Sequence, residues 1–391
     1  MQTTRFVYRN PAQRIVFGRG TLASVAEELA AIAAVRPMLV CTARAARSAA
    51  GRALVASLGL KPDAVFDGVQ SHAPVDSVHE GWKRACALKP DCFVALGGGS
   101  AMDTVKGIAL AYAEQGRVLD FVIERTPDGR VIGQQSLKPK LPILAISTTL
   151  SGAEVSPSFA LTNEAHKKLI IRDNAVAPAI LVYDPELLRD VPILTLAASA
   201  MNALAHTVEG LYSKGRNPIS ALYAAEGLKL LHSGLSAAVE NPADDEAYVS
   251  LSLGAYYAAA AIVNARTALH HAICHKLAPA AGLAHGIANA IVLPHALAFN
   301  LPAARAELAQ AARLMCKDSL TEGSLRGEDA IAALEQLSAR AGLPRRLRDV
   351  GVSQALFPAL AQQIFSEPGL AFNPREIESV GEIEAVLHAA W

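Results

Sequence analysis

The sequence predicts an α/β domain at the amino terminus and an all-helical (all-α) domain at the carboxyl terminus. In the first half, short apolar runs typical of strands alternate with amphipathic helical stretches, which is the pattern of βαβ units around a parallel sheet. After residue 185 the strand patterns stop, and long helical patterns rich in Ala and Leu follow. A chain of 391 residues is also too long for one ordinary core. We therefore predict two domains, residues 1–185 and 186–391, packed around a substrate cleft.

The predicted elements follow one another along the chain. Amphipathic patterns predict helices over residues 22–33 and 77–89, and the Gly-, Pro- and charge-rich segment 125–142 predicts a hairpin or a surface loop. Three short apolar runs predict buried strands, at residues 38–41, 92–96 and 143–146. In the second domain, helix breaks are predicted at Asn217-Pro218, Asn241-Pro242, Pro279, Pro294 and Leu343-Pro344.

The charge and cysteine content exclude several classes of protein. Lys plus Arg and Asp plus Glu both number 36, with no block of like charge, so there is no electrostatic footprint for nucleic acid or an anionic membrane. Apolar runs such as residues 255–263 are too short to span a bilayer, and the amino terminus lacks the apolar core of a secretory signal. The five cysteines form no CxxC pair. We expect a cytoplasmic protein with reduced thiols and a small-molecule substrate, and a homodimer by default.

A glycine-rich turn follows the predicted strand at residues 92–96. Glycines at a strand-to-helix turn let the backbone approach a ligand, and the N–H groups at the helix amino terminus bind a pyrophosphate. Glycine turns also occur for purely structural reasons, but the strand before this one and the helix after it favour a dinucleotide site. The spacing departs from the GxGxxG fingerprint of the Rossmann fold. The candidate cofactor residues here are Gly97, Gly98, Gly99, Ser100, Asp103 and Lys106.

A second polar segment follows the predicted strand at residues 143–146. Its residues Thr148, Thr149 and Ser151 carry hydroxyl groups that suit the ribose or phosphates of the same ligand. The alternative is a capped loop that leads into a helix. We favour the binding interpretation.

The end of the strand at residues 38–41 bears on the choice of cofactor. Dinucleotide enzymes often have an acidic residue there for the adenosine ribose, whereas this chain has Thr42 followed by Arg44 and Arg47. Such a site need not reject a 2′-phosphate. NADH and NADPH are therefore both expected cofactors.

Histidines in the predicted helical domain form a second group of candidate site residues. Asn202 and His206 are four residues apart in a helical pattern, so their side chains share one face, and His271 and His275 repeat this spacing. His285 opens a third predicted helix. Three imidazoles on separate helices and an oxygen donor are able to surround a divalent metal such as Zn²⁺ or Fe²⁺. Such a metal would polarise a carbonyl oxygen.

The residues leave the presence of a metal open. A single histidine on an apolar helix face is more often a core residue than a ligand, but several in one domain favour an active site. Asn202 is a neutral ligand where an Asp would supply a charge, and this weakens the attraction for a dication. The alternative is a metal-free site in which imidazoles act directly as acid and electrostatic stabiliser.

Together these motifs resemble the iron-containing (group III) alcohol dehydrogenase family, whose members combine a GGGS-x-x-D-x-x-K turn, a D-x-x-x-H helix and an H-x-x-x-H-x(9)-H stretch. The resemblance runs nearly end to end and implies a dinucleotide-binding domain and a helical domain like that of dehydroquinate synthase. It implies metal-ligand roles for His206, His271 and His285, and a place beside the nicotinamide for His275. The fourth ligand of the family, an Asp, is Asn202 here.

With Asn at position 202, the chain resembles the maleylacetate reductase branch of the family. Members of the branch reduce the carbon–carbon double bond of 2-maleylacetate to give 3-oxoadipate with NADH or NADPH, in the breakdown of aromatic rings, without needing a metal. Residues 284–289 instead resemble the metal-dependent alcohol dehydrogenases. The segments that resemble the branch are residues 201–206, 269–271, 274–275, 293–297 and 373–375.

The substrate is therefore either an oxo-acid or an aldehyde. A dicarboxylate substrate requires cations, and Arg266 and Lys276 are candidates, although either also suits a solvated helix surface. The second interpretation is a metal-dependent alcohol dehydrogenase or aldehyde reductase. A lyase of the dehydroquinate synthase type is a third, and it would be expected to have more Lys and Arg around the histidines.

Overall fold

The computed structural model describes residues 5–125, 131–134, 136, 138–164, 167–316 and 325–391. The chain divides into two compact units, Pro11–Asp190 and Val191–Trp391, and the described residues 5–10 belong to the second. Hydrogen bonds explain this membership. The backbone N–H of Arg9 donates to Asn264 Oδ1 over 2.9 Å, and Asn264 Nδ2 donates to the carbonyl of Arg9 over 3.0 Å.

The first unit is a parallel β-sheet whose strands are connected largely through helices. In chain order its elements are β1 (Arg14–Phe17), α1 (Val25–Ala31), β2 (Pro37–Cys41), α2 (Ala43–Ala46), α3 (Ala49–Ser57), β3 (Val65–Phe66), α4 (Val75–Leu88), β4 (Cys92–Gly97), α5 (Gly99–Ala113), β5 (Glu124–Arg125), β6 (Val131–Ile132), β7 (Ile143–Ser147), β8 (Ser158–Thr162), β9 (Lys168–Arg172), β10 (Ile180–Tyr183) and α6 (Glu186–Arg189). Six strands form the sheet, in the order β1-β10-β7-β4-β2-β3. All of these pairs are parallel, which confirms the predicted α/β class.

The centre of the sheet contains the three predicted strands. Every residue of β4 and β7 is buried, as expected for apolar runs covered on both faces. Leu96 of β4 pairs with Cys41 of β2, and Gly97 pairs with Ser147 of β7. Because these strands are parallel and in register at their carboxyl ends, the segments that follow them leave from the same edge of the sheet.

Two small hairpins accompany the sheet. Within the predicted loop at 125–142, β5 and β6 form a two-residue antiparallel pair, while residues 126–130, 135 and 137 lie outside the described residues. The second hairpin, β8 and β9, was not predicted from the sequence. Burial alternates along β8 with a period of two, but five residues are too few for that period to stand out in the sequence.

The second unit is helical throughout its described residues, as predicted. In chain order its helices are α7 (Ile193–Tyr212), α8 (Pro218–Glu240), α9 (Asp245–Ala265), α10 (Leu269–Ala280), α11 (His285–Asn300), α12 (Arg305–Met315), α13 (Gly327–Arg340), α14 (Phe357–Phe365) and α15 (Val380–Ala390). Asn217 caps α8 through the backbone N–H groups of Ile219 and Ser220, so the break at Asn217-Pro218 occurs as predicted.

The predicted break at Pro294 is wrong. α11 continues through this proline to Asn300. Pro294 is buried, and Ile291, Val292 and Ala296 around it belong to a core shared with α10 and α15. Burial of that face stabilises the helix enough to offset the one backbone hydrogen bond that a proline cannot donate.

One described helix, α9, is long and apolar enough to cross a membrane by length and composition. About 61% of its apolar window is buried inside the protein. It packs against α7 and α8. A mostly buried core helix passes the same test, so α9 is weak support for a membrane segment.

Candidate active site

Three helices of the second unit carry the predicted catalytic residues. α7 is apolar on nearly all sides and is therefore buried, and it presents Asn202 and His206 one turn apart. α10 carries His271 and His275, and α11 begins at His285. α11 packs against both α7 and α10, which brings the three histidine-bearing segments together.

Four imidazole rings form one group, which we call the histidine cluster. The ring of His206 stacks on that of His271 with the centroids 4.4 Å apart and the planes 8° from parallel. His275 and His285 stack at 5.9 Å, and each lies near His271, at 6.0 and 6.5 Å. The four histidines predicted from the sequence therefore lie in one group in the structure. Asn202 is buried one helical turn before His206.

Burial favours the neutral form of two rings of the cluster, His206 and His271. Desolvation lowers the pKa of His271 to about 3. It also lowers the pKa of His206 well below its ordinary value, with further contributions from His271 and His270. Neutral imidazoles are able to bind a metal, donate one hydrogen bond and accept another.

The donor set is chemically compatible with a divalent metal. His206 Nδ1 and His271 Nε2 are shielded from solvent and have no hydrogen-bond partner among the described residues. Three imidazoles form known zinc sites in which water occupies the fourth position. The amide of Asn202 adds no negative charge, so the electrostatic attraction for a cation is weaker than with a carboxylate.

A second polar group lies behind His271, and its central residue, Glu209, was not predicted from the sequence. One ligand atom each from Glu209, His270 and His271 falls within 4.8 Å of the others, close enough to hold a cation. However, His271 Nδ1 lies only 2.6 Å from Glu209 Oε2. Two ligands of a tetrahedral zinc are about 3.3 Å apart, so this contact is a hydrogen bond. The available signal was that Glu209 is the single charged residue of α7, seven positions after Asn202 on the same face.

The two candidate cations for a substrate carboxylate differ in their surroundings. Lys276 Nζ lies 2.6 Å from Glu367 Oε1, and the other oxygen of that carboxylate is 4.0 Å from His275 Nδ1. Arg266 is exposed and has φ +69° and ψ 147°, a strained conformation for a residue with a side chain. Lys276 therefore already has a partner within the protein.

In the first unit, the glycine turn (residues 97–99) joins β4 to α5. Gly97 has φ +150°, which residues with side chains rarely adopt. A Cβ on Gly98 would lie 2.7 Å from Thr149 Cγ2 and 2.8 Å from Thr149 Oγ1. The turn is thus closed against the segment after β7, and Thr148 N–H donates to the carbonyl of Gly97 over 3.0 Å.

The glycine turn and the segment after β7 have features that fit a bound dinucleotide. Thr149 Oγ1 is shielded and has no hydrogen-bond partner among the described residues. Ser151 lies next to the turn, since a Cβ on Gly99 would be 3.6 Å from its Oγ. The amino terminus of α5, a helix of fifteen residues, faces this hydroxyl-lined segment. Hydroxyl groups and helix N–H groups are the donors that phosphates accept from.

Three other predicted cofactor residues have partners within the protein. Ser100 Oγ accepts from His72 N–H over 3.1 Å, and Asp103 Oδ2 accepts from Ala160 N–H over 3.3 Å. Thr42 Oγ1 accepts from a backbone N–H in α2 over 3.1 Å. The Thr42 contact caps α2, whereas the contacts of Ser100 and Asp103 tie other segments to the first turns of α5. Direct cofactor contacts of these three residues stay predictions.

Lys106 is fully buried on α5 and makes only internal contacts among the described residues. Its Nζ donates to the carbonyls of Ala153, Ser156 and Ser158 over 2.6, 2.7 and 3.3 Å. An ammonium has three N–H donors, and all three are used here. Lys106 thereby holds the segment after Ser151 against α5, and its predicted contact with the cofactor stays a prediction.

The sequence and the fold match known proteins over nearly their whole length. Residues 12–185 match the iron-containing alcohol dehydrogenase family, and residues 196–391 match the C-terminal region of the Fe-containing alcohol dehydrogenase family. The maleylacetate reductase of Burkholderia cepacia is 31% identical over 373 residues, which are 95% of this chain and 94% of the relative. The NAD-dependent methanol dehydrogenase of Bacillus methanolicus is 31% identical over 382 residues, 96% of this chain and 97% of the relative. A 1,3-propanediol oxidoreductase structure has a TM-score of 0.90 at 29% identity and covers 99% of this chain and 100% of its own.

These matches span both units and agree with the motifs found in the sequence. The predicted family and the predicted class of enzyme are confirmed. The relatives differ in substrate, since their names include a maleylacetate reductase and a methanol dehydrogenase. The chain belongs to the iron-containing alcohol dehydrogenase family and is an NAD(P)H-dependent oxidoreductase.

Proposed function

We propose that the protein is a maleylacetate reductase, which reduces 2-maleylacetate to 3-oxoadipate in the degradation of aromatic compounds. The observation that carries the proposal is a donor set without a carboxylate: Asn202 stands where the resembled family has an Asp, one turn from His206, and burial favours the neutral form of His206 and His271. Similarity to a maleylacetate reductase over 95% of the chain supports it. We further propose a cytoplasmic homodimer.

The proposed cofactor is NADH or NADPH, bound at the glycine turn. The orphaned hydroxyl of Thr149 and the close approach at Gly98 support a pyrophosphate there. Thr42, Arg44 and Arg47 at the end of β2 include no carboxylate that would repel a 2′-phosphate. We therefore expect both cofactors to support the reaction.

The proposed mechanism is conjugate reduction of an enone. The nicotinamide, when bound, would supply a hydride to the alkene carbon β to the keto group, and the electron pair of the double bond would move towards the carbonyl oxygen to give an enolate. An imidazole N–H of the histidine cluster donates to that oxygen, and an imidazole or a water delivers one proton to the carbon α to the keto group. NAD(P)H, one proton and maleylacetate thus yield 3-oxoadipate and NAD(P)⁺. Of the two candidate cations, Arg266 is the one without an observed acidic partner in the described structure, so we assign it to a substrate carboxylate.

A second candidate is a metal-dependent alcohol dehydrogenase or aldehyde reductase. The shielded nitrogens of His206 and His271 favour it, as does the similarity to a methanol dehydrogenase. His206, His271 and His285, with Asn202, would hold the metal, which would polarise a carbonyl oxygen when bound.

One assay separates the two candidates. The purified protein is treated with chelator, and the oxidation of NADH and NADPH is followed with maleylacetate and with short aldehydes. We expect full activity on maleylacetate without metal. Aldehyde reduction that returns only with Fe²⁺ or Zn²⁺, together with no turnover of maleylacetate, would exclude the first candidate.

A further inference from the structure

We infer that Asn373 is a positioning residue for the reaction, and that it holds the ends of the three histidine-bearing helices together. Asn373 lies in the carboxyl-terminal segment 367–375, which carries no histidine. The consequence for turnover rests on the proposed function. The contacts of Asn373 do not, since all of them lie within the helical unit.

The first step is the orientation of the Asn373 side chain, which is fully buried. Its Oδ1 accepts from the backbone N–H of Leu269 over 3.3 Å, and its Nδ2 donates to the carbonyl of Arg375 over 2.7 Å. A backbone N–H only donates and a backbone carbonyl only accepts, so these two bonds fix which end of the amide is the oxygen. None of these groups titrates.

The second step is the pair that Asn373 forms with Asn300, the last residue of α11. Asn300 Nδ2 donates to Asn373 Oδ1 over 2.9 Å, and Asn373 Nδ2 donates to Asn300 Oδ1 over 2.7 Å. With these bonds, Asn373 uses all four hydrogen-bonding positions of its amide in contacts with the protein. Both side chains are fully buried, so bulk water does not reach a partner that is left unpaired.

The third step is the start of α10. The first N–H groups of a helix have no acceptor within the helix, and the preceding residue, Ala268, provides no side-chain cap. Asn373 supplies an acceptor to Leu269, the first residue of α10, from 104 positions later in the chain. Because His271 is two residues after Leu269, this bond fixes the helical turn that carries the imidazole.

The fourth step is the end of α7, the helix that carries His206. The backbone N–H of Lys214, two residues after this helix, donates to the carbonyl of Phe372 over 2.9 Å. A Cβ on Gly215 would lie 3.0 Å from Phe372 Cδ1, so the chain after α7 packs on the residue before Asn373. Residues 372 and 373 thus contact the segments at the end of α7, the start of α10 and the end of α11.

The histidine cluster depends on the relative positions of these three helices. His206 of α7 stacks on His271 of α10, and His285 of α11 stacks on His275 of α10. None of the four bonds of the Asn373 amide reaches a histidine, so Asn373 acts on the cluster through the helices. A displacement of reacting groups by about 1 Å is enough to lower a rate about 100-fold.

The test compares two variants of the full-length protein that each remove a buried asparagine cap. Asn373→Ala removes the acceptor at the start of α10, and Asn217→Ala removes the acceptor at the start of α8, which carries no histidine of the cluster. We expect both variants to lower the unfolding temperature. Well below both transitions, only Asn373→Ala should lower kcat for maleylacetate, about 10- to 100-fold. Its Kd for NADH should stay unchanged, because the glycine turn lies in the other unit.

An unchanged kcat in folded Asn373→Ala would overturn the inference, and so would an equal loss of kcat in Asn217→Ala. If Asn373→Ala does not fold, Asn300→Ala decides. This variant removes the pair with α11 but leaves the bond from Asn373 to Leu269, and we expect kcat to fall about 3- to 10-fold. An unchanged kcat in that variant would then refute the positioning role.

Hydrogen exchange gives a measurement that needs no substrate. In Asn373→Ala or Asn300→Ala, peptides that cover the start of α10 and the end of α11 should exchange faster than in the wild type, whereas peptides that cover the start of α8 should not. Unchanged exchange at α10 and α11 would contradict the inference. If the wild type does not reduce maleylacetate, only the proposed function is refuted, and the exchange rates decide the inference.

Discussion

Gly98→Ala tests the close approach between the glycine turn and the segment after β7. The backbone of Gly98 has φ −97° and ψ −159°, which alanine adopts without strain, so the effect of the substitution is steric. The added Cβ would lie 2.7 Å from Thr149 Cγ2, 2.8 Å from Oγ1 and 3.3 Å from Cβ. Either the Thr149 side chain rotates or the turn moves, and both changes displace a hydroxyl that we assign to the cofactor.

The size of the effect follows from overpacking. Adding a methyl group to a filled site costs about 1 to 3 kcal/mol. For a unit of this size, each kcal/mol lowers the unfolding temperature by about 2 to 4 °C. If NADH binding loses the same 1 to 3 kcal/mol, the Kd for NADH rises about 5- to 150-fold. Thermal unfolding and titration of NADH and NADPH fluorescence measure the two quantities.

The neighbouring glycine provides the control. A Cβ on Gly99 would meet Ser151 Oγ at 3.6 Å, an ordinary van der Waals distance, so Gly99→Ala should leave the unfolding temperature unchanged or slightly raised. In a Thr149→Ala background the clash is absent, and Gly98→Ala should then lose little further stability. Equal losses in both backgrounds would refute the steric argument.

Three further predictions concern the helical unit. Asn202→Asp should tighten Zn²⁺ binding at least about 10-fold by calorimetry, because it adds a charge to the donor set; unchanged affinity would contradict the convergence of Asn202 with the histidines. Burial, with a contribution from Arg340, lowers the pKa of His232 to about 4. As the pH drops, the unfolded state therefore binds this proton before the folded state does, and the free energy of unfolding falls between about pH 6.5 and about pH 4. His232→Gln should show a shallower fall over this range in acid denaturation curves. Arg266→Gly should raise the unfolding temperature, because it relieves about 1 kcal/mol of backbone strain at φ +69°. Arg266→Ala keeps a Cβ and should not raise it. Both variants should raise the KM for maleylacetate if Arg266 binds a carboxylate of the substrate.

The parts of the fold that the sequence predicts are those set by local patterns. The continuous apolar run at residues 92–96 and the glycines after it specify a buried strand and a tight turn with little ambiguity. The spacing of four between His271 and His275 likewise specifies a shared helix face before any tertiary contact is known. Local chemistry therefore predicted the glycine turn of the first unit and the shared helix face of the second.

The parts that the sequence does not predict depend on contacts between distant segments. Pro294 ends a helix by local rules, and only its burial against neighbouring helices explains why α11 continues. Glu209 lies 62 positions before His271, and no spacing rule relates the two residues. Lys106 fits a phosphate-binding role in the sequence, but the three carbonyls around it come from a segment about fifty positions later.

Asn202 and Glu209 lie on one face of α7. Glu209 contacts His271 Nδ1 and the backbone N–H of His271, and burial raises its pKa. Asn202 places no negative charge beside the histidines. A neutral site binds a dication weakly but does not repel a dicarboxylate or the enolate that forms from it, whereas an aspartate without metal would repel both. The variant Asn202→Asp should therefore gain metal affinity and, when metal-free, reduce maleylacetate more slowly than the wild type. A variant that gained metal and kept its full metal-free rate would show that the charge at position 202 does not act on the substrate.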